Sequence, residues 1–202
     1  MTSEARVARP FGRVVIGANA LAQTTASGVG AVLSFGLCGA LDPALHPGDL
    51  AIGLEVRVAG ETFAADPAWV AALRSAFPGA TVAPFADAER IVASRADKAA
   101  LATTSGAMAV DMESFAVAKW AARAKIPFAI LRAVSDGMSD ELPPSAQAGF
   151  RADGTTDIAA VIRRLIARPS ELPGLIRTAR NAAAGFAALK SAASVWPWAV
   201  RV

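Results

Sequence analysis

Short apolar runs, bounded by glycine, proline or charge, alternate along this chain with stretches of helical spacing. Arg13 to Gly17 (RVVIG) reads as a short buried strand and Asn19 to Ser27 as a short helix. Ala31 to Leu37 (AVLSFGL) predicts a second strand, and Gly48 to Val58, opened by a Pro-Gly turn, a third. Asp66 followed by Pro67 is a helix start, because aspartate caps the first free N–H groups and proline fits the first helical position; the helix extends to Phe77. Asp97 to Ser105 reads as a helix, Ala107 to Val110 as a brief strand, Met112 to Ala124 as a helix and Pro127 to Val134 (PFAILRAV) as a buried strand. Two helices, Asp153 to Ala167 and Leu172 to Ala193, end the pattern. Strands apolar throughout, separated by helices, predict the buried strands of an α/β sheet. There is no internal repeat and no linker, so residues 1–202 read as one domain, long enough to bury a full core.

Composition removes several classes of function. Apolar residues make up 54% and charged residues 18%, which excludes a disordered polyelectrolyte. The balance of 20 Lys+Arg against 17 Asp+Glu is nearly even, and no basic run is interleaved with aromatics, so nucleic-acid binding is not expected. One cysteine, Cys38, precludes an internal disulfide, and with one histidine, His46, it argues against a zinc site. A Ser-His-Asp triad would need His46, which stands in a turn-like Leu-His-Pro-Gly stretch. Val14 to Leu41 carries no charge, but Asn19, Gln23, Thr24, Thr25, Ser27 and several glycines interrupt it, which fits strand, helix, strand better than a membrane span. The polar start carries no apolar signal core, and a cytoplasmic location is expected.

In open α/β sheets ligands sit beyond strand ends. Three polar groups fall at such ends: Gly36 to Gly39, Asp111-Met112-Glu113, and Ser135-Asp136. Taken singly, Glu113 reads as an acid complementing a helix dipole and Asp136 as a turn residue or cap. Two carboxylates at neighbouring strand ends can also share a pocket as an acid/base pair. Neither a P-loop nor a GxGxxG after a strand is present, which weakens nucleoside triphosphate and dinucleotide readings.

Three motifs in order resemble the purine/uridine phosphorylase superfamily. They are the glycine-rich and Gly-Asp strands within Ser34 to Leu50, Ala109-Val-Asp-Met-Glu-Ser114, and Phe128-Ala-Ile-Leu-Arg-Ala-Val-Ser-Asp136. The nearest branch is that of the methylthioadenosine/adenosylhomocysteine nucleosidases. Val110 to Ala118 with Leu142-Pro-Pro144 and the late basic helix is most similar to the hopanoid-biosynthesis-associated phosphorylases. The resemblance implies cleavage of the N-glycosidic bond of a 5′-substituted adenosine, with adenosylhopane as the candidate. Ordinary purine nucleosides or methylthioadenosine are the alternatives, and a catalytically silent nucleoside-binding protein is a third. It implies that Glu113 holds the ribose hydroxyls, Met112 packs on the sugar and Asp136 protonates N7 of the leaving purine, with Ser135 holding that acid. Gly36 and Gly39 line the site, Arg132 orients the Asp136 loop, and Ile91 and Val92 align with the strand whose backbone contacts adenine. Glu4 stands where the nucleosidases place the water-activating base. The resemblance implies a mixed central sheet flanked by helices, and the superfamily begins with a strand before that residue, so either the start is truncated or the first strand of the sheet is absent.

The resemblance implies no metal or organic cofactor, with inorganic phosphate as co-substrate only if the reaction is phosphorolysis. Superfamily phosphorylases often carry an arginine and a serine where this chain has Ser34 and Leu37, which favours water. A homo-oligomer, most simply a dimer, is implied. Residues 172–202 form a basic amphipathic helix with a Trp-rich tail, having Arg177, Arg180, Lys190 and Arg201 and no acid after Glu171. A surface helix packed on the core is the plain reading; peripheral membrane contact is the alternative.

Overall fold

The computed structural model describes residues 15, 18–58, 60–149 and 158–199. The predicted strand at 13–17, Glu4 and the start of the predicted helix at 153–167 lie outside the described residues. A short helix α1 (Ala18–Ala22) precedes strand β1 (Val32–Ala40), strand β2 (Leu50–Val58) and strand β3 (Glu61–Ala64). Helix α2 (Pro67–Ala76), strand β4 (Thr81–Asp87), helix α3 (Arg95–Ser105), strand β5 (Ala109–Asp111), helix α4 (Ser114–Ala124) and strand β6 (Phe128–Asp136) follow. Helices α5 (Pro144–Gly149) and α6 (Ile158–Ala167), one 3₁₀ turn (Pro169–Glu171) and the long helix α7 (Leu172–Ala199) complete the order.

The sheet is mixed and closes on itself. Its order is β3-β2-β4-β5-β1-β6, and β6 pairs back onto β2. One edge of β2 is therefore divided: Leu50 to Gly53 pair with β6 and Glu55 to Val58 with β3. β1 lies between β6 and β5, parallel to the first and antiparallel to the second. Closure demands close approach at Gly53, where a Cβ would stand 2.6 Å from Ile130 Cβ. The core inside and around the ring includes Ile52, Val56, Phe85, Ile130 and Leu131, none with measurable exposure.

Most boundaries follow local chemistry. Asp66 Oδ1 accepts from Ala68 N (2.9 Å) and Trp69 N (3.1 Å), the predicted cap on α2, worth about 1 kcal/mol. Helix α3 starts two residues earlier than predicted, because Ser94 is its cap: Ser94 Oγ accepts from Asp97 N at 3.0 Å. It ends at Gly106, in the left-handed conformation (φ 62°) that glycine adopts without strain. The short helix at 18–22 is half the length its sequence predicts, and turns occupy the rest of that stretch.

Strand β4 is not evident from the sequence. Pro84 interrupts it, and proline is confined to edges and bulges of sheets. β4 nevertheless lies between β2 and β5. The β2–β4 register slips between Gly53 and Glu55 opposite Pro84, leaving Leu54 as the bulged residue. Helix α7 runs through Ala199, beyond the predicted end at Ala193. It packs on β6 where a Cβ at Gly185 would meet Val134 O at 2.9 Å, and it buries Leu189, Ala192 and Ala193. No helix among the described residues is long and apolar enough to cross a membrane.

Candidate active site

β1 carries the floor of the site. Its Gly36 stands opposite Arg132 and its Gly39 opposite Asp136 of β6, while Gly39 also faces Val110 of β5. β5 runs against β1, so the chain leaving Asp111 heads back toward the level of Gly36. The two predicted carboxylates, Asp136 and Glu113, thus flank the Gly36–Gly39 stretch. A side chain at Gly39 would place its Cβ 3.1 Å from Asp136 Oδ2, so the bare backbone makes room for that carboxylate.

Asp136 is held on both oxygens. Ser135 Oγ lies 2.8 Å from Oδ1 and 3.1 Å from Cys38 O. Lys98 Nζ contacts Oδ2 and also donates to Gly137 O at 2.7 Å and Asp140 O at 3.3 Å. Lys98 is fully buried, and nothing in the sequence reading singled it out. One signal was available: on α3 it shares a face with Leu101, Ala102 and Ser105, at i+3, i+4 and i+7, so the helix turns this cation inward.

Glu113 is held by Arg132. Arg132 Nη1 donates to Glu113 Oε2 at 3.1 Å and to Leu37 O at 3.2 Å. Its Nη2 donates to Ser34 Oγ at 2.7 Å, and Nε lies 2.9 Å from Asp111 Oδ2. Among the described residues Arg132 therefore supports the Glu113 side of the site, and Lys98 has the role at the Asp136 loop that the sequence assigned to Arg132. The reason is direction: Arg132 lies four residues before Asp136 in β6, at the level where α4 begins. Asp111 is the acid that caps α4, accepting from Glu113 N (3.2 Å), Ser114 N (2.9 Å) and Ser114 Oγ. Glu113 makes no capping bond, so its carboxylate is left for the open side, where it is half exposed. Met112 is exposed beside it at 44%.

Ile91 and Val92 lie in the loop between β4 and α3, not in a strand. Val92 packs with Leu41, Ala86, Ala107 and Val110. Leu142 N donates to Ala93 O at 2.9 Å, which ties this loop to the one that follows Asp136. His46 is exposed and pairs with Asp49 at 3.6 Å, so the triad reading finds no support. Burial, with Asp111 nearby, pushes the Cys38 thiol far up, which leaves it an unreactive core residue. No cluster of metal-ligating side chains is found among the described residues.

A further carboxylate, Asp87, sits beside Asp111 at the end of β4. Its pKa is raised to about 6, chiefly by burial and then by Asp111, although Phe115 N donates to it at 3.3 Å. The folded chain thus holds this proton more tightly than the unfolded one, whose carboxyl titrates near 3.8. Its contribution to stability is present at low pH and is lost as pH rises through 6. Asp87→Asn should therefore melt above the parent at pH 7.5, with the gap narrowing toward pH 4. A gap independent of pH in thermal melts would refute this.

Comparison with known proteins places this geometry. A search among curated protein sequences finds no match. Among solved structures, a 5′-methylthioadenosine/S-adenosylhomocysteine nucleosidase from Colwellia psychrerythraea 34H, in complex with adenine, is similar at 26% identity and TM-score 0.55. That match covers 61% of this chain, and the chain spans 64% of the nucleosidase's length. Futalosine hydrolase of Helicobacter pylori strain 26695 shares the fold at TM-score 0.59 and 18% identity, over 89% of this chain and 76% of that one. A Campylobacter jejuni nucleosidase of the methylthioadenosine/S-adenosylhomocysteine type does so at 0.56 and 19%, over 86% and 76%. The family model of the phosphorylase superfamily matches residues 9–167. With that match over most of its length and the fold these structures share, the chain belongs to the phosphorylase superfamily.

Proposed function

We propose that the chain cleaves the N-glycosidic bond of a 5′-substituted adenosine and releases adenine, with adenosylhopane as the candidate substrate and water as the acceptor. One observation carries the reading. Two carboxylates stand on either side of the same glycine-containing strand, each backed by a buried cation: Asp136 by Lys98 and Glu113 by Arg132.

The chemistry needs both. Breaking the bond develops positive charge on the ribose, as in glycoside hydrolysis. Glu113, ionised and partly open, accepts from the 2′- and 3′-hydroxyls, and those bonds strengthen as the charge grows. Met112 packs on the sugar. Adenine leaves poorly as an anion, so Asp136 supplies a proton to N7 while Ser135 fixes its orientation. Water is favoured over phosphate because Ser34 occupies the place where superfamily phosphorylases often carry an arginine. Here that serine is buried and bonded to Ser114 and Arg132. Assembly as a homo-oligomer and peripheral membrane contact through the tail after Ala193 belong to the same reading.

Chromatographic assay of adenine release from adenosylhopane and from methylthioadenosine, each with and without phosphate, tests it. Release from adenosylhopane without phosphate is expected. Release that needs phosphate would make the enzyme a phosphorylase. No release from either would leave a nucleoside-binding protein.

A further inference from the structure

Lys98 is the most deeply buried charge near the site, with no solvent exposure. Its ammonium directs its bonds to Asp136 Oδ2, Gly137 O and Asp140 O. The loop it holds is braced from the far side: Asp140 Oδ2 accepts from Gly137 N at 2.8 Å and from Asn181 Nδ2 of α7 at 2.9 Å. Arg177 Nε lies 3.4 Å from Asp140 Oδ1. The loop thus has its own fastening without Lys98. Burying an ammonium is costly, and apolar packing often holds elements together as well as a buried ion pair does. An ammonium has one property that apolar packing lacks, which is a proton to give.

We propose that Lys98 is a positioning residue that fixes Asp136 against the leaving base and keeps that acid supplied with its proton. The inference rests on the reading of Asp136 as the group that protonates N7. As the bond between C1′ and N9 breaks, its electron pair passes to the purine. One proton moves from Lys98 Nζ to the Asp136 carboxylate and on to N7. The products are neutral adenine, a neutral lysine amine and an ionised Asp136. Water then adds to C1′ of the sugar, and once adenine leaves, the proton released by that addition returns through solvent and Asp136 to the amine. The pair carries the proton needed for each turnover without a free carboxylic acid having to persist in the empty site.

Leaving-group dependence separates this from a merely structural role. Adenine needs the proton; p-nitrophenolate does not. Lys98→Met should lower kcat for methylthioadenosine about 100-fold, while kcat for p-nitrophenyl 5-methylthio-ribofuranoside falls by less than about threefold, within ordinary general-acid reasoning for a leaving group that departs unaided. If the parent cleaves only adenosylhopane, the pair is adenosylhopane and the p-nitrophenyl riboside with the same 5′ group. The ratio of the two rates on one sample does not depend on the fraction folded. Lys98→Gln, closer in polarity, gives the same ratio should the methionine variant not fold, and Lys98→Arg, which keeps a cation but cannot give up its proton, should leave the adenine rate low. Equal losses on both substrates, or an unchanged adenine rate, would overturn the inference and leave the proposed function standing. Failure of the parent to release adenine from either nucleoside would remove both.

Discussion

Asp136→Asn is expected to lower adenine release by about 10²- to 10⁴-fold, the range by which a positioned general acid speeds proton transfer. The side chain keeps its shape and its bond from Ser135 but can no longer carry the proton to N7. The structure adds a second consequence. Lys98 retains Gly137 O and Asp140 O but loses its only carboxylate in the described contacts, leaving a buried cation uncompensated. Breaking a buried pair on one side costs about 3–5 kcal/mol, so the variant should melt well below the parent. Adding Lys98→Met to Asp136→Asn should recover much of that stability and none of the activity. Thermal melts and adenine assays on the single and double variants check both statements. A single variant within tenfold of the parent in kcat would show that the proton comes from elsewhere.

Arg132→Met is expected to cost stability on the same scale. The guanidinium is buried and meets Asp111, Ser34, Leu37 O and Glu113. Without it Asp111, 5% exposed, keeps its capping bonds to α4 but no counter-ion. A loss of about 3–5 kcal/mol follows, read as a lower urea midpoint with an unchanged slope. Glu113 faces solvent and bears little of that cost, but it loses the bond that aims it at the sugar, so KM should rise in whatever folds. Arg132→Lys keeps the charge without the planar fork. It should recover part of the stability, while KM remains high. A methionine variant as stable as the parent would mean that Asp111 finds another partner.

The sequence exposes what local chemistry controls. The Asp66-Pro67 start of α2, the apolar run of β6 and the carboxylates at Glu113 and Asp136 are legible because each is determined by its immediate neighbours. What joins distant segments is not. β4 is masked by Pro84, whose place in a central strand depends on a bulge in β2. Lys98 lies on the inward face of α3, but its partner is not legible until β6 brings Asp136 to it, 38 residues later. Ser34 and Ser114, 80 residues apart, become partners only when β1 and α4 meet around Arg132. The family resemblance assigned Arg132 to the Asp136 loop, whereas its described contacts are with Glu113 and Asp111, since motif order says nothing of which way a side chain reaches.

The closed ring of strands has a consequence for how the chain comes into being. Among the described residues β6 is the last strand to emerge during synthesis, yet it stands between β1 and β2, two of the earliest. Until residues 128–136 arrive, both of those strands present open edges, the form of backbone most prone to pair with other chains. Ring closure joins segments nearly a hundred residues apart, such as Val32 with Phe128, so it is a late and slow event. Because Asp136 is the final residue of that strand, the same closure that seals the sheet also delivers the acid to Gly39 and Lys98. Completion of the proposed site and protection of the open edges therefore come in one step.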